Sequence, residues 1–299
     1  MSAGSVEQDP LFGRAVSVNI LKGGVGKSSL SVNIADRVGT RHDKNVLYMD
    51  LDPNGHISRG LGYDNIYQQN DYPLQSILID GESRFKEAIH ETDYGFDFVP
   101  SSKKMEGLNT ALKDASYGTV RLRNNFLKPL IVDGPYDYCI MDGGGETSQI
   151  ADNAFAASRQ TIVPVAPGQE CFSGFQQTIN RVVDPIREHQ RFDILAIVPN
   201  MISQRMDHQN ADRKLIERLN TSERFGDKVP NFAHIAPETF EKIDNGELQE
   251  LPKPGVRMDA DIGHAYDEGM PLAHYNPESD SIAYLDELAD IVVEGGVDR

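Results

Sequence analysis

Cysteine is scarce in this 299-residue chain. Its two thiols, Cys139 and Cys171, cannot build a disulfide framework, which fits a reducing cytoplasm. No run of eighteen or more apolar residues occurs, so no segment reads as a membrane span. The stretch Met1 to Arg14 lacks the apolar centre of a signal peptide and is expected to be a flexible tail over residues 1–13. Positive charge is also short: 29 Lys and Arg stand against 46 Asp and Glu, a formal charge of −17. That balance argues against a protein that coats nucleic acid, because phosphate binding needs a local excess of Lys and Arg. The acids are spread along the chain, so they read as a solvated surface, of the kind that keeps a protein hydrated in a host with high intracellular salt. Repeats and low-complexity segments are absent.

What the sequence does have is a series of short, apolar, β-branched runs: 15–21, 46–49, 96–99, 138–141, 161–165, 194–199 and 232–236. Runs this short, bounded by turn residues, read as strands buried on both faces of a parallel sheet. Helical spacing lies between them. Leu30, Ile34 and Val38 sit four apart, and 174–189, 207–219 and 281–293 repeat the pattern. Alternating units of this kind predict an α/β fold, a doubly wound and mostly parallel sheet with helices on both faces. A single domain over 14–299, with an insertion at 238–255, accommodates them.

The first strand runs into Lys22-Gly23-Gly24-Val25-Gly26-Lys27-Ser28-Ser29, and a helix pattern follows. Glycines there let backbone N–H groups turn inward on phosphate oxygens, and the helix N-terminus adds partial positive charge. Lys27 would reach the β- and γ-phosphates of ATP, and the Ser28 hydroxyl would ligate Mg²⁺. A Gly-rich turn capped by serine is the plainer alternative, but GK[ST] between strand and helix is specific. The first glycine of the general motif is replaced by Leu21, and a second lysine, Lys22, opens the loop.

This loop resembles the deviant Walker A motif, K-G-G-x-G-K-[ST], of the ParA/MinD superfamily of P-loop ATPases. The likeness extends from about Ala15 to Val293 and is nearest to the ParA, or Soj-like, partition branch. It implies that Lys22 reaches the partner's phosphates across an ATP-dependent sandwich dimer. Asp50-Leu51-Asp52-Pro53-Asn54-Gly55-His56 is similar to the family's switch I. On that likeness Asp52 orients the attacking water and Asp50 lies near the metal. Tyr138-Cys139-Ile140-Met141-Asp142 has the Walker B pattern, with Asp142 a second group for Mg²⁺. The family continues D-x-P-P, whereas this chain reads Asp142-Gly143-Gly144-Gly145-Glu146, which suggests a more flexible switch II and leaves Glu146 as a reserve water-positioning carboxylate. By the same resemblance Asn200 meets the adenine edge and Ile235-Ala236-Pro237 closes the base pocket.

Among the branches, the iron–sulfur type is disfavoured because Cys139 lies inside the Walker B strand. The membrane-binding type is disfavoured by an acidic C-terminal helix pattern. The partition branch implies a slow ATPase stimulated by a ParB-like or other partner protein, with non-specific DNA bound by the dimer and a cytoplasmic or nucleoid-associated location. Arg205 and Arg257 fall where the family places DNA-contacting arginines, with Arg213, Lys214 and Arg218 as an added basic face. A nucleotide-gated switch that positions a cargo other than DNA is the alternative, which the charge of −17 favours.

Overall fold

Each β-branched run that flips its side chains between two apolar environments becomes a strand here. The computed structural model describes residues 9–203 and 210–299. It places six strands, β1 (Ala15–Val18), β2 (Val46–Leu51), β3 (Asp97–Val99), β4 (Tyr138–Gly143), β5 (Gln160–Val165) and β6 (Asp193–Pro199), in the order β3-β2-β4-β1-β5-β6. All five pairings are parallel. Leu47, Met49 and Leu51 of β2 face one core with Cys139 and Met141, while Val46 and Tyr48 face the other with Val16, Val18 and Ile140. Both faces are therefore covered, as a doubly wound sheet requires. The strand order reverses at β1, flanked by β4 and β5, and the crevice at the carboxyl ends of β1 and β4 is the topological switch point.

Helix α1 (Lys27–His42) packs Leu30, Ile34 and Val38 on the second face, beside Leu288, Ile291 and Val292 of the C-terminal helix Ile282–Glu294. Arg37 and Arg41 of α1 pair with Asp286 and Asp290 of that helix at 2.5 and 2.8 Å. The helix expected over 174–189 begins earlier, at Gln169, and runs through a wider-wound segment, Ile179–Val183, to Arg187.

Two expectations are corrected. Residues 9–13 are packed: Leu11 is fully buried in the core and Asp9 pairs with Arg123 and Arg159. The run 232–236 is not a strand but a 3₁₀ turn, Asn231–Ala233, followed by extended chain. Side chains satisfy its backbone instead of a ladder. The N–H groups of Asn231 and Phe232 donate to Glu287, and that of Ile235 donates to Asn220. The segment 238–255 opens with a helix, Pro237–Asp244, which buries Phe240 and Ile243 and accepts Arg213.

Candidate active site

β1 stops at Val18, and the chain from Asn19 to Gly26 crosses the switch point into α1. The Asn19 N–H still donates to Ile162 O at 3.1 Å, and the Leu21 N–H turns to the Thr178 hydroxyl at 2.9 Å. Gly24 and Gly26 have φ of 73° and 80°, conformations that only glycine adopts at low cost, and they swing the loop around its mouth. No side chain caps α1, so its first N–H groups point into the crevice. Asn200, at the end of β6, clamps the loop from behind by donating from Nδ2 to Val25 O at 2.8 Å. A Cβ at position 26 would lie 2.3 Å from that Nδ2. The loop's third glycine is thus needed for conformation and for close approach together.

Lys27 is 7% exposed, and its Nζ donates to Lys22 O at 3.0 Å. Burial pushes this ammonium below its usual range, against the upward pull of Asp142 and Asp52. Lys22 stands outside, at the mouth, with Nζ 2.9 Å from Glu170 of the helix Gln169–Thr178. That cis contact was not legible in the sequence, because nothing in residue spacing relates positions 22 and 170.

Asp50 and Asp142 are directly opposite in the β2–β4 register, yet their surroundings differ. Asp50 accepts from the Ser58 hydroxyl at 2.6 Å, the Ser58 N–H at 3.0 Å and the Asp52 N–H at 3.0 Å. It anchors its own loop to α2 (His56–Gly60), and burial lifts its carboxyl to about 6. Both oxygens of Asp142 are buried without a hydrogen-bond partner among the described residues. Burial, then the charge of Asp50, holds this carboxyl well above the usual range; the nearby Ser28 hydroxyl pulls it back without completing a hydrogen bond. An orphaned buried carboxylate is costly unless a cation meets it. Ser28 and Asp142 are suited to Mg²⁺, which takes one or two protein oxygens and completes its shell with phosphates and water. Consistent with that, no cluster of three or more His, Cys, Asp or Glu that could cage a metal exists among the described residues. Asp50 has fewer lone pairs to spare for a metal than Asp142.

Asp52 accepts from the N–H and the Nδ2 of Asn54 at 2.8 and 3.0 Å, closing a turn that lines the crevice with His56. The segment is a turn, and that turn faces the cavity. Glu146 also lines the crevice and is exposed. The intervening glycines are packed. A Cβ on Gly143 would meet Asn19 Nδ2 at 2.3 Å, one on Gly144 would meet Pro53 Cδ at 3.6 Å, and one on Gly145 would meet Gly23 N at 3.1 Å and Lys27 Nζ at 3.2 Å. None of the three has a positive φ, so they serve close approach.

Lys22, Lys27, Ser28, Asp52 and Glu146 line one cavity of about 1620 Å³, and Asp50 and Asp142 are not among its lining residues. Asn200, Met201, Val256, Arg257, Met258 and Tyr266 line another part of it. Pro237 is not among the lining residues. It sits in the first turn of its helix, since the strand expected to carry it to the pocket is not formed. Arg257 lines the cavity itself, bridged to Ile202, and Arg205 lies outside the described residues. Of the expected basic face only Arg213 is spent internally, while Lys214 and Arg218 are exposed. Arg213 is buried in a two-bond pair with Asp244 at 2.6 and 2.7 Å, and Arg218 lies 3.7 Å over the Phe172 ring. The wall of Glu106, Asn109, Thr110 and Lys113 went unassigned from the sequence, although Met105, Leu108 and Leu112 give its helix, Met105–Asp114, a readable apolar stripe.

The fold and the site define a P-loop ATPase with a deviant phosphate loop. The model of the AAA domain family matches residues 13–195, and the chain belongs to that family, in its ParA/MinD-type branch. It is 30% identical over 209 residues to a virulence plasmid ParA family protein of Chlamydia psittaci, covering 70% of this chain and 77% of that one. It is 25% identical over 287 residues to the sporulation initiation inhibitor protein Soj of Bacillus subtilis, covering 95% and 100%. An ATP complex of a Cyanothece McdA variant superposes with a TM-score of 0.67 at 18% identity, over 96% of this chain and 97% of that one.

Proposed function

We propose that the protein is a slow, partner-stimulated Mg²⁺-ATPase that dimerises around ATP and positions DNA, in plasmid or chromosome partition, with a ParB-like protein as its activator. The observation that carries the ATPase reading is the pairing of an uncapped α1 N-terminus and buried Lys27 with the orphaned carboxylate of Asp142. The loop N–H groups and Lys27 would bind the β- and γ-phosphates, and Ser28 and Asp142 would hold the metal, whose charge offsets that of the triphosphate. Asp52, carried by a turn that Asp50 fixes, would orient the water for in-line attack. Asn200 and the Met201–Met258 lip would receive the adenine. The partition reading draws on the ParA relatives, and a cytoplasmic or nucleoid-associated location follows from it.

One observation favours the second reading, a nucleotide-gated switch with a cargo other than DNA. Arg213 is spent on Asp244, and the −17 body opposes a phosphate backbone. Filter binding of a non-specific duplex with ATP, ADP or no nucleotide, across a KCl series, decides between them. DNA retained only with ATP, and lost with rising salt, supports partition. No retention at any salt, with ATP turnover intact, supports the other cargo. In the same assay Lys27→Ala is expected to fold and to lose ATP binding; normal nucleotide affinity there would overturn the P-loop assignment.

A further inference from the structure

Asn19 is the first residue past β1, fully buried, and neither Nδ2 nor Oδ1 has a hydrogen-bond partner among the described residues. It is not part of the phosphate loop's own cradle. Its carboxamide lies flat against Gly143, where a Cβ would come within 2.3 Å of Nδ2, 2.5 Å of Cγ and 2.9 Å of Oδ1. N–H groups further along are unfilled as well. Among the described residues no hydrogen bond is formed by the N–H groups of Gly145 or Glu146, while Gly143 closes the ladder opposite Leu51. A buried donor and acceptor therefore sit beside a glycine run whose last N–H groups are also open, directly after Asp142. In this arrangement Gly145 rests on Gly23 and Lys27 Nζ, in the space that faces the phosphates.

Orphaned buried amides are rare, because each lost hydrogen bond costs more than a made one gains. The arrangement with Gly145 on the phosphate loop is thus held at a cost that a short movement of the loop would relieve. A triphosphate bound at Lys27 needs the space beside that ammonium and would lift Gly145 away. We propose that Asn19 is the positioning residue of switch II: with a nucleoside triphosphate bound, its carboxamide pairs with the peptide groups of Gly143–Gly145 and fixes the loop that leads from Asp142 to Glu146. Asn19 does not touch the nucleotide. It converts loop displacement into one defined loop geometry, and the three glycines are the condition for it, since any side chain at 143 would displace the amide. The proposal rests on the ATP-binding reading given above.

The chain has no tryptophan to report on this loop, so hydrogen exchange of peptides spanning 143–149 is the direct readout. Exchange is followed in the wild type, Asn19→Leu and Asn19→Thr, each without nucleotide, with Mg·ADP and with a Mg-bound non-hydrolysable ATP analogue, beside steady-state ATPase rates. In the wild type the triphosphate analogue is expected to slow exchange of the loop relative to ADP. Asn19→Leu is expected to lose that difference and about tenfold in kcat while KM stays within twofold, because one hydrogen bond of positioning is removed and no nucleotide contact. Asn19→Thr keeps a donor and an acceptor at similar size and is expected to recover part of both. Loop protection and kcat at wild-type level in Asn19→Leu would overturn the proposal, as would Asn19→Thr failing as badly as Leu. Should Asn19→Leu not fold, Asn19→Ala is read by the same two outcomes. A wild type that binds no ATP, or whose loop ignores it, overturns the ATP reading and this proposal together.

Discussion

Asp142 carries a carboxylate into a space where no described residue completes a hydrogen bond to it, whereas Asp50, on the neighbouring strand, accepts three. Two adjacent acids of the same type thus take different work from their surroundings alone. Asp142→Asn keeps shape and replaces a buried carboxyl that accepts no hydrogen bond among the described residues, so the nucleotide-free protein is expected to gain about 1–3 kcal/mol of stability. The same variant should lose Mg²⁺-dependent nucleotide binding. A melting temperature at or below wild type, with Mg²⁺ dependence retained, would remove Asp142 from the metal site. The raised carboxyl of Asp50, about 6, fixes the sign of the pH dependence. Between pH 4 and 6 the unfolded chain ionises this group first, so the folded state holds more protons and loses stability as pH rises. Asp142, also raised, acts in the same direction. Bound Mg²⁺ favours the ionised pair, so the stabilisation by Mg·ADP over the nucleotide-free protein should widen from pH 5 to 8, with proton release seen by calorimetry near pH 6. A gap constant across that range would show that the pair does not respond to the metal.

At the scale of elements, switch I and switch II are built by different means. Switch I is a hydrogen-bonded turn, with Ser58 tying Asp50 to α2 and the Ser101 hydroxyl donating to Asp52 O at 2.6 Å. Switch II is a glycine run fitted into contact with Asn19, Pro53 and Lys27. The glycines should therefore differ when substituted. Gly143→Ala forces a Cβ against a buried amide and is expected to cost about 1–3 kcal/mol, while Gly144→Ala meets Pro53 at ordinary distance and is expected to cost under about 0.5 kcal/mol. Urea unfolding gives both values, and equal costs would contradict the packed loop. The motif-bearing strands, the phosphate loop and the acids at β2 and β4 were legible in the sequence because their signals are local: apolar runs, glycine and lysine at fixed offsets, an acid at a strand's end. Gly143–Gly145 reads as a flexible run, but glycine also marks close approach, and only the neighbours, distant in sequence, reveal that second role. Residues 232–236 have strand composition, but Glu287 and Asn220 supply the hydrogen bonds that a ladder would have supplied. Pro237 and Arg213 were misplaced by the same kind of blindness, to the partner rather than to the residue.

The whole molecule carries −17, so two copies approaching one another repel before they touch, and dimerisation needs a specific attraction at the mouth of the site. Lys22 stands at that mouth, already extended from the loop and held by Glu170 at 2.9 Å on the same chain. Burial leaves this pair largely in solvent, where such contacts contribute little and are screened by salt. Giving it up is therefore cheap. If Lys22 exchanges Glu170 for the partner's triphosphate, it trades a wet ion pair for a charge-assisted contact shielded between two subunits, and two-fold symmetry makes the trade twice. The two ends of the pair should then respond unequally. Lys22→Ala is expected to bind ATP as a monomer, with dimerisation weakened on the order of a hundredfold or more. Glu170→Ala is expected to dimerise with ATP at least as well as wild type, tighter by about a few-fold at low salt and unchanged at high salt, where the cis pair no longer competes. Light scattering of both variants with Mg and a non-hydrolysable ATP analogue, at two KCl concentrations, reads the outcome. A Lys22→Ala protein that dimerises as wild type does would return Lys22 to a solvated surface lysine, and a Glu170→Ala protein that cannot dimerise would place Glu170 in the interface instead of beside a lysine in waiting.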